Sequence, residues 1–139
     1  MKLHVLYIGK PRDASFNTLA EQYVRRAARY VRCEMREIQP QRFDLWDKHP
    51  SATKVLLDPA GKSYDSVQFS KLIGQAEESA RDLVFLVGGA EGLPQEWRKR
   101  ADILLSLSSM TFPHELARVI LVEQIYRALA LLRGHPYPK

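Results

Sequence analysis

Apolar residues in this chain alternate between two spacings. Leu3–Ile8 places Val5 and Tyr7 on one side and Leu6 and Ile8 on the other, which predicts a strand buried on both faces. Phe16, Leu19, Ala20, Tyr23, Val24, Ala27 and Ala28 recur at helical spacing, so a helix is expected over Phe16–Val31. Short strands are expected at Glu34–Ile38, stopped by Pro40, and at Lys54–Leu57, closed by the turn signal Asp58-Pro59-Ala60-Gly61. Val67–Ala80 reads as a second helix capped by Ser66 or Asp65, and Asp82–Val87 as the most buried strand. A short polar helix (Pro94–Arg100), a fifth strand (Ile103–Leu107) and a long last helix (Glu115–Leu132) complete the pattern. The polar stretch Gln39–Thr53 is expected to be an irregular loop.

Strands that alternate with helices argue for an α/β fold, a mostly parallel sheet with helices on both faces. In such sheets ligands gather beyond the carboxyl ends of the strands. Asp58–Lys62, Gly88–Gly92 and Ser106–His114 are the loops expected there. The last helix is apolar in nearly every direction, from Leu116, Val119, Ile120 and Val122 to Ile125, Leu129 and Leu132. A surface helix keeps one polar face, so a second copy of the chain is the expected cover for the surplus stripe.

Length and composition narrow the picture further. The 139 residues fit a single domain, 1–139, and nothing among them resembles a signal peptide or a membrane span. The single cysteine, Cys33, rules out an internal disulfide and favours a cytoplasmic setting. His4, His49, His114 and His135 lack metal-ligand spacing, so no metal is expected. The formal charge of +5 leans toward a polyanionic partner. Arg25, Arg29 and Arg32 repeat at helical spacing, either as a solvated face or as a patch that meets RNA phosphates.

Two loops carry the candidate chemistry. Gly88-Gly89-Ala90-Glu91-Gly92 follows the buried strand and precedes Pro94, so its backbone can lie close to a ligand or simply make a tight connection to a helix. Leu105–His114 mixes hydroxyl and apolar residues, suited either to holding a flat heterocycle or to capping the last helix. These loops, together with Arg118-Val119, Glu123–Ala128 and the tail Gly134-His135-Pro136-Tyr137, resemble the bacterial large-subunit ribosomal-RNA pseudouridine N3-methyltransferases of the SPOUT (α/β-knot) class. The likeness also takes in the Met1-Lys2-Leu3 strand ending at Gly9-Lys10, and Leu57-Asp58 with Gly61-Lys62.

That resemblance implies an S-adenosylmethionine (AdoMet)-dependent enzyme, a carboxyl-terminal trefoil knot, a homodimer, and ribosomal RNA or the assembled ribosome as substrate. It implies a cofactor pocket at Leu57, Gly88 and the run Leu107, Ser108, Ser109, Met110, Thr111 and Phe112. His114 is a candidate base, since imidazole exchanges protons near neutrality, with a helix-start histidine bonded to backbone as the plainer reading. Arg118 is a candidate to steady a developing anion, and Tyr137 either stacks on a base or packs the tail. Glu123 and Arg127, four apart, are expected to pair. Two departures from the family pattern stand out: a short Gln39–Thr53 segment where the family carries a further helix, and Pro138 where its tail carries histidine. Methylation of another RNA such as transfer RNA, or a ribosome-binding module that keeps the pocket without turnover, are the rival readings.

Overall fold

A computed structural model describes residues 1–137, so Pro138 lies outside the described residues. Five parallel strands form one sheet in the order β2-β1-β4-β3-β5. They are β1 (Lys2–Ile8), β2 (Arg32–Ile38), β3 (Thr53–Ser63), β4 (Leu83–Val87) and β5 (Ile103–Ser106). The helices are α1 (Ala14–Ala27), α2 (Leu45–Lys48), α3 (Ser66–Glu78), α4 (Gln95–Arg100) and α5 (His114–Leu132).

The two-residue period of the strands divides the core into two layers. Leu3, Val5, Leu83, Phe85 and Val87 face α1, α3 and α5, while Leu6, Leu56, Val84 and Leu86 face Leu45 of α2 and Trp97 of α4. Helices therefore cover both faces, as expected, and β4 is buried along its whole length. Asp65 caps α3 through a reciprocal capping box with Gln68, which accounts for the sharp start of that helix. Trp46 and Trp97 meet edge to face at 6.3 Å between centroids, anchoring the thinner layer. Burial, and then the nearby Glu34 carboxylate, push the Cys33 thiol up to about 12.

Four expectations need correction. The first helix stops at Ala27 rather than Val31, where the amides of Tyr30 and Val31 both bond back to the Ala27 carbonyl. This turn lets Tyr30 pack against Tyr126 and His135, and it sends Arg32 into β2. Arg25, Arg29 and Arg32 therefore do not share one helical face. The second concerns Gln39–Thr53, which is not wholly irregular. Pro40–Arg42 forms a 3-10 turn, and α2 buries Leu45 behind an Asp44 cap.

The third correction is at Asp58-Pro59-Ala60-Gly61, which does not end β3. Leu57 and Lys62 both pair with Leu105, so the residues between them bulge out of the ladder and the strand resumes. Gly61 makes this possible: a Cβ there would sit 2.5 Å from the Leu104 carbonyl oxygen. The fourth concerns α5, which is covered chiefly by its own subunit. It packs against both α1 and α3, and Val119, Leu121, Val122, Ile125 and Leu129 are buried without a second chain. From β5 at the sheet edge the chain thus doubles back into the helical layer.

Candidate functional site

The carboxyl ends of β3, β4 and β5 converge on a cavity of about 400 Å³, within the range of small-molecule sites. Its walls come from three chain segments: Leu57-Asp58-Pro59, Val87–Ala90 with Gly92, and Leu105 to Ala117. These are the three loops that sheet topology singled out. The lining is largely apolar, with leucine, valine, methionine, phenylalanine and proline side chains among it, so a flat apolar ligand surface would lose water on entry.

Backbone crowding forms one wall. A Cβ on Gly88 would lie 2.8 Å from the Gly92 carbonyl carbon, so the turn closes only with glycine. Gly92 has φ of +79° and its amide bonds to the Gly89 carbonyl at 3.0 Å. The opposite wall is set by serines. Ser106 Oγ donates to the Ser108 carbonyl at 3.0 Å, and Ser108 Oγ accepts from the Met110 amide at 3.0 Å. These two bonds curl the loop so that Met110, Thr111 and Phe112 line the cavity.

Of the residues expected to hold a cofactor, Leu57, Gly88, Leu107, Ser108, Met110, Thr111 and Phe112 all line this cavity; Ser109 is exposed and lies outside the lining. His114, the first residue of α5, also lines it. Just beyond, Glu115 accepts from the backbone amides of Arg12 (2.7 Å) and Asp13 (3.3 Å), tying the start of α1 to the start of α5. The Arg12 amide holds the Glu115 carboxyl below its ordinary value, with smaller help from Asp13, His114 and Arg118 against the cost of burial.

Arg118 and Tyr137 both lie outside the cavity lining. The face of α5 that carries Arg118 turns inward onto α1 and β1. Its guanidinium stacks on the Tyr7 ring at 3.8 Å, donates to Asn17 Oδ1 at 3.1 Å, and is 2% exposed. It is outside the cavity lining. Tyr137 packs the tail onto α5: its hydroxyl donates to Glu123 Oε2 at 2.8 Å, Arg127 covers its ring at 4.5 Å, and Tyr126 meets it edge-on. Burial and then the Glu123 hydrogen bond push its hydroxyl pKa up. Glu123 and Arg127 form the expected pair, at 2.8 Å.

The basic residues occupy the other end of the sheet. Arg32 stands beside Lys2 in register, at the amino ends of β2 and β1, and Arg25 and Arg29 flank the end of α1. All four are exposed, and Arg29, Arg32 and Lys2 have no carboxylate within 4.0 Å among the described residues. A seven-residue strand spans about 20 Å, so this patch lies far from the cavity within one subunit.

Sequence reasoning missed three features of the site. Asp58 was read as a turn residue, yet its side chain is 7% exposed and it lines the cavity. Arg98, which binds Asp58, lies in a polar helix and carries no motif. Ala117 enters through helix periodicity alone, one turn after Pro113.

Known proteins sharpen these observations. The family described as predicted SPOUT methyltransferase matches residues 1–138. A ribosomal RNA large subunit methyltransferase H of Solibacter usitatus is 59% identical over 137 residues, covering 99% of both chains. One from Koribacter versatilis is 40% identical over 142 residues, covering 99% of this chain and 97% of that one. Among solved structures, the SpoU methyltransferase AviRb of Streptomyces viridochromogenes, in complex with AdoMet, superposes with a TM-score of 0.58. It is 14% identical and covers 97% of this chain and 59% of that one, a likeness of fold. No helix among the described residues is long and apolar enough to cross a membrane.

Proposed function

The chain belongs to the SPOUT methyltransferase family, and from that premise we propose that it methylates N3 of a pseudouridine in large-subunit ribosomal RNA, in the cytoplasm, using AdoMet. The observation that carries this reading is the cavity itself: a glycine-walled, apolar space at the carboxyl edge, framed by the residues that the family resemblance assigns to the cofactor. The close, full-length relatives carry large-subunit ribosomal RNA in their names.

The residues present fit such a ligand. The Gly88–Gly92 turn brings bare backbone to the cavity, since Gly88 has no space for a Cβ against Gly92 and Gly92 takes a φ of +79°, and Leu57, Leu107 and Phe112 offer flat apolar surface to a nucleobase. When bound, the cofactor supplies a methyl group on a positively charged sulfur. The Ser106–Ser108–Met110 bonds hold the loop preformed, which limits the ordering cost of binding. Transfer to N3 also requires the N3 proton to leave. His114, which lines the cavity, is the residue assigned to take it, through whichever ring nitrogen is unprotonated. Arg118 acts at a distance, bracing Tyr7 and Asn17 beneath the start of α5. A homodimer belongs to this proposal. Its support is family membership rather than the burial of α5.

Incubating the protein with methyl-labelled AdoMet and unmodified large subunits or whole ribosomes, followed by nuclease digestion and mass spectrometry, tests the reading. One methyl group on N3 of one pseudouridine is the expected product. Label on transfer RNA instead would reassign the substrate. Binding of cofactor and ribosome without transfer would reduce the chain to a binding module.

A further inference from the structure

Among the described residues Asp58 is the one carboxylate that lines the cavity, and its side chain is 7% exposed. A buried carboxylate is costly unless its oxygens are satisfied. Oδ2 accepts from Arg98 Nε at 2.8 Å, and the Arg98 guanidinium pairs with the same oxygen through Nη2, 2.7 Å away. Oδ1 accepts from the Ala60 amide at 2.9 Å and from nothing else among the described residues. A carboxylate offers about four acceptor positions, so one remains on Oδ1.

The placement of this carboxylate is unusually well fixed. The Ala60 bond closes a turn in the β3 bulge, and Gly61 pins that bulge against the Leu104 carbonyl. From the other face of the sheet, Arg98 of α4 grips Oδ2 and is itself held by Gln95 Oε1 at 3.2 Å. The β3 bulge and α4 together hold one acid at the edge of a largely apolar cavity.

We propose that Asp58 Oδ1 is a hydrogen-bond acceptor for a donor group of the nucleoside-type cofactor, a ribose hydroxyl or the α-amine, and that Arg98 is the positioning residue that aims it. This rests on the cofactor reading above. Such a bond orients a ligand whose base would otherwise slide between aliphatic walls. A buried acceptor left without its donor also discriminates against analogues that lack one.

The test is calorimetric titration of the unmodified protein, Asp58→Ala and Arg98→Ala with S-adenosylhomocysteine and with methylthioadenosine, which lacks the amino-acid portion. Thermal melts of each variant run alongside. Asp58→Ala should weaken S-adenosylhomocysteine by about tenfold or more, the size of one hydrogen bond to a charged group. Arg98→Ala, which keeps the acceptor but loosens it, should cost only a few-fold. If methylthioadenosine suffers equally in Asp58→Ala, the donor is on the ribose; if it is spared, the donor is the amine. A purely structural role for Asp58 would make the two variants equal for both ligands, or leave affinity at the parent value, and either result overturns the proposal. Should Asp58→Ala fail to fold, a ligand-bound structure of the unmodified protein decides: a ligand donor within hydrogen-bond distance of Oδ1 supports it, and its absence overturns it. If the unmodified protein binds neither ligand, the cofactor reading fails rather than this one.

Discussion

At the carboxyl end of β4 the chain passes through Gly88 and Gly89 into an apolar cavity, whereas at the amino ends of β1 and β2 Lys2 and Arg32 stand side by side in water. The first region is built by backbone that cannot tolerate a Cβ, the second by long side chains that any backbone could carry. One consequence is mechanical: the carboxyl edge is preformed and sensitive to single atoms, while the amino edge is adaptable and replaceable charge by charge. The other is functional. A small ligand needs the first kind of surface, and a phosphate backbone, read by charge, needs the second.

The largest expected effect comes from closing the preformed edge. At 100 times its Kd, a ligand stabilises the parent protein by about 2.7 kcal/mol, read as a rise in Tm. Gly88→Leu should abolish that rise. Its side chain would meet the Gly92 backbone, so a loss of about 1–3 kcal/mol in intrinsic stability should accompany it. A normal ligand response in this variant would move the cofactor away from the carboxyl edge.

Next in size is His114→Asn. Removing a proton acceptor should slow methyl transfer by about 100-fold while leaving cofactor affinity within about twofold. Parent-like turnover would return His114 to the role of a helix-start residue.

Replacing Arg25, Arg29 and Arg32 together by alanine should lower RNA or ribosome affinity by about tenfold and flatten the log–log salt dependence by roughly two units. Cofactor affinity should not change, since the cavity lies at the opposite edge. An unaltered salt slope would leave these arginines as solvated surface.

The smallest effect is on stability. The Glu115 carboxyl is held below its ordinary value chiefly by the Arg12 amide, so its contribution is present above the unfolded value and is lost as pH falls through the folded one. Glu115→Gln should therefore lower stability by about 1 kcal/mol at neutral pH. The gap in Tm should close as pH drops below about 4. A gap of constant size across that range would mean that packing rather than charge holds the start of α1.

The two edges were also unequally legible in the sequence. The strands and most of the cavity could be read because β4 is a continuous apolar run and because glycine, serine and proline punctuate the loops where backbone geometry matters. The basic edge misled because helical spacing of Arg25, Arg29 and Arg32 says nothing about where the helix ends, and packing of Tyr30 decides that at Ala27. The β3 bulge was hidden for a related reason: a turn sequence can leave a ladder and rejoin it when a glycine lets two backbones touch. The all-round apolarity of α5 was real, and α1 and α3 cover most of it within one subunit, leaving Leu116 and Ile120 half-buried and Leu131 and Leu132 exposed. Asp58 and Arg98 lie forty positions apart, and only the sheet brings them together.

Hydrogen exchange on the unmodified protein, with and without AdoMet, tests the central claim that the carboxyl edge is the cofactor site. The account predicts slowed exchange in amides of residues 57–61, 86–92 and 105–114, with residues 25–36 unchanged. Protection confined to residues 25–36, or none in the two loops that follow β4 and β5, would contradict it.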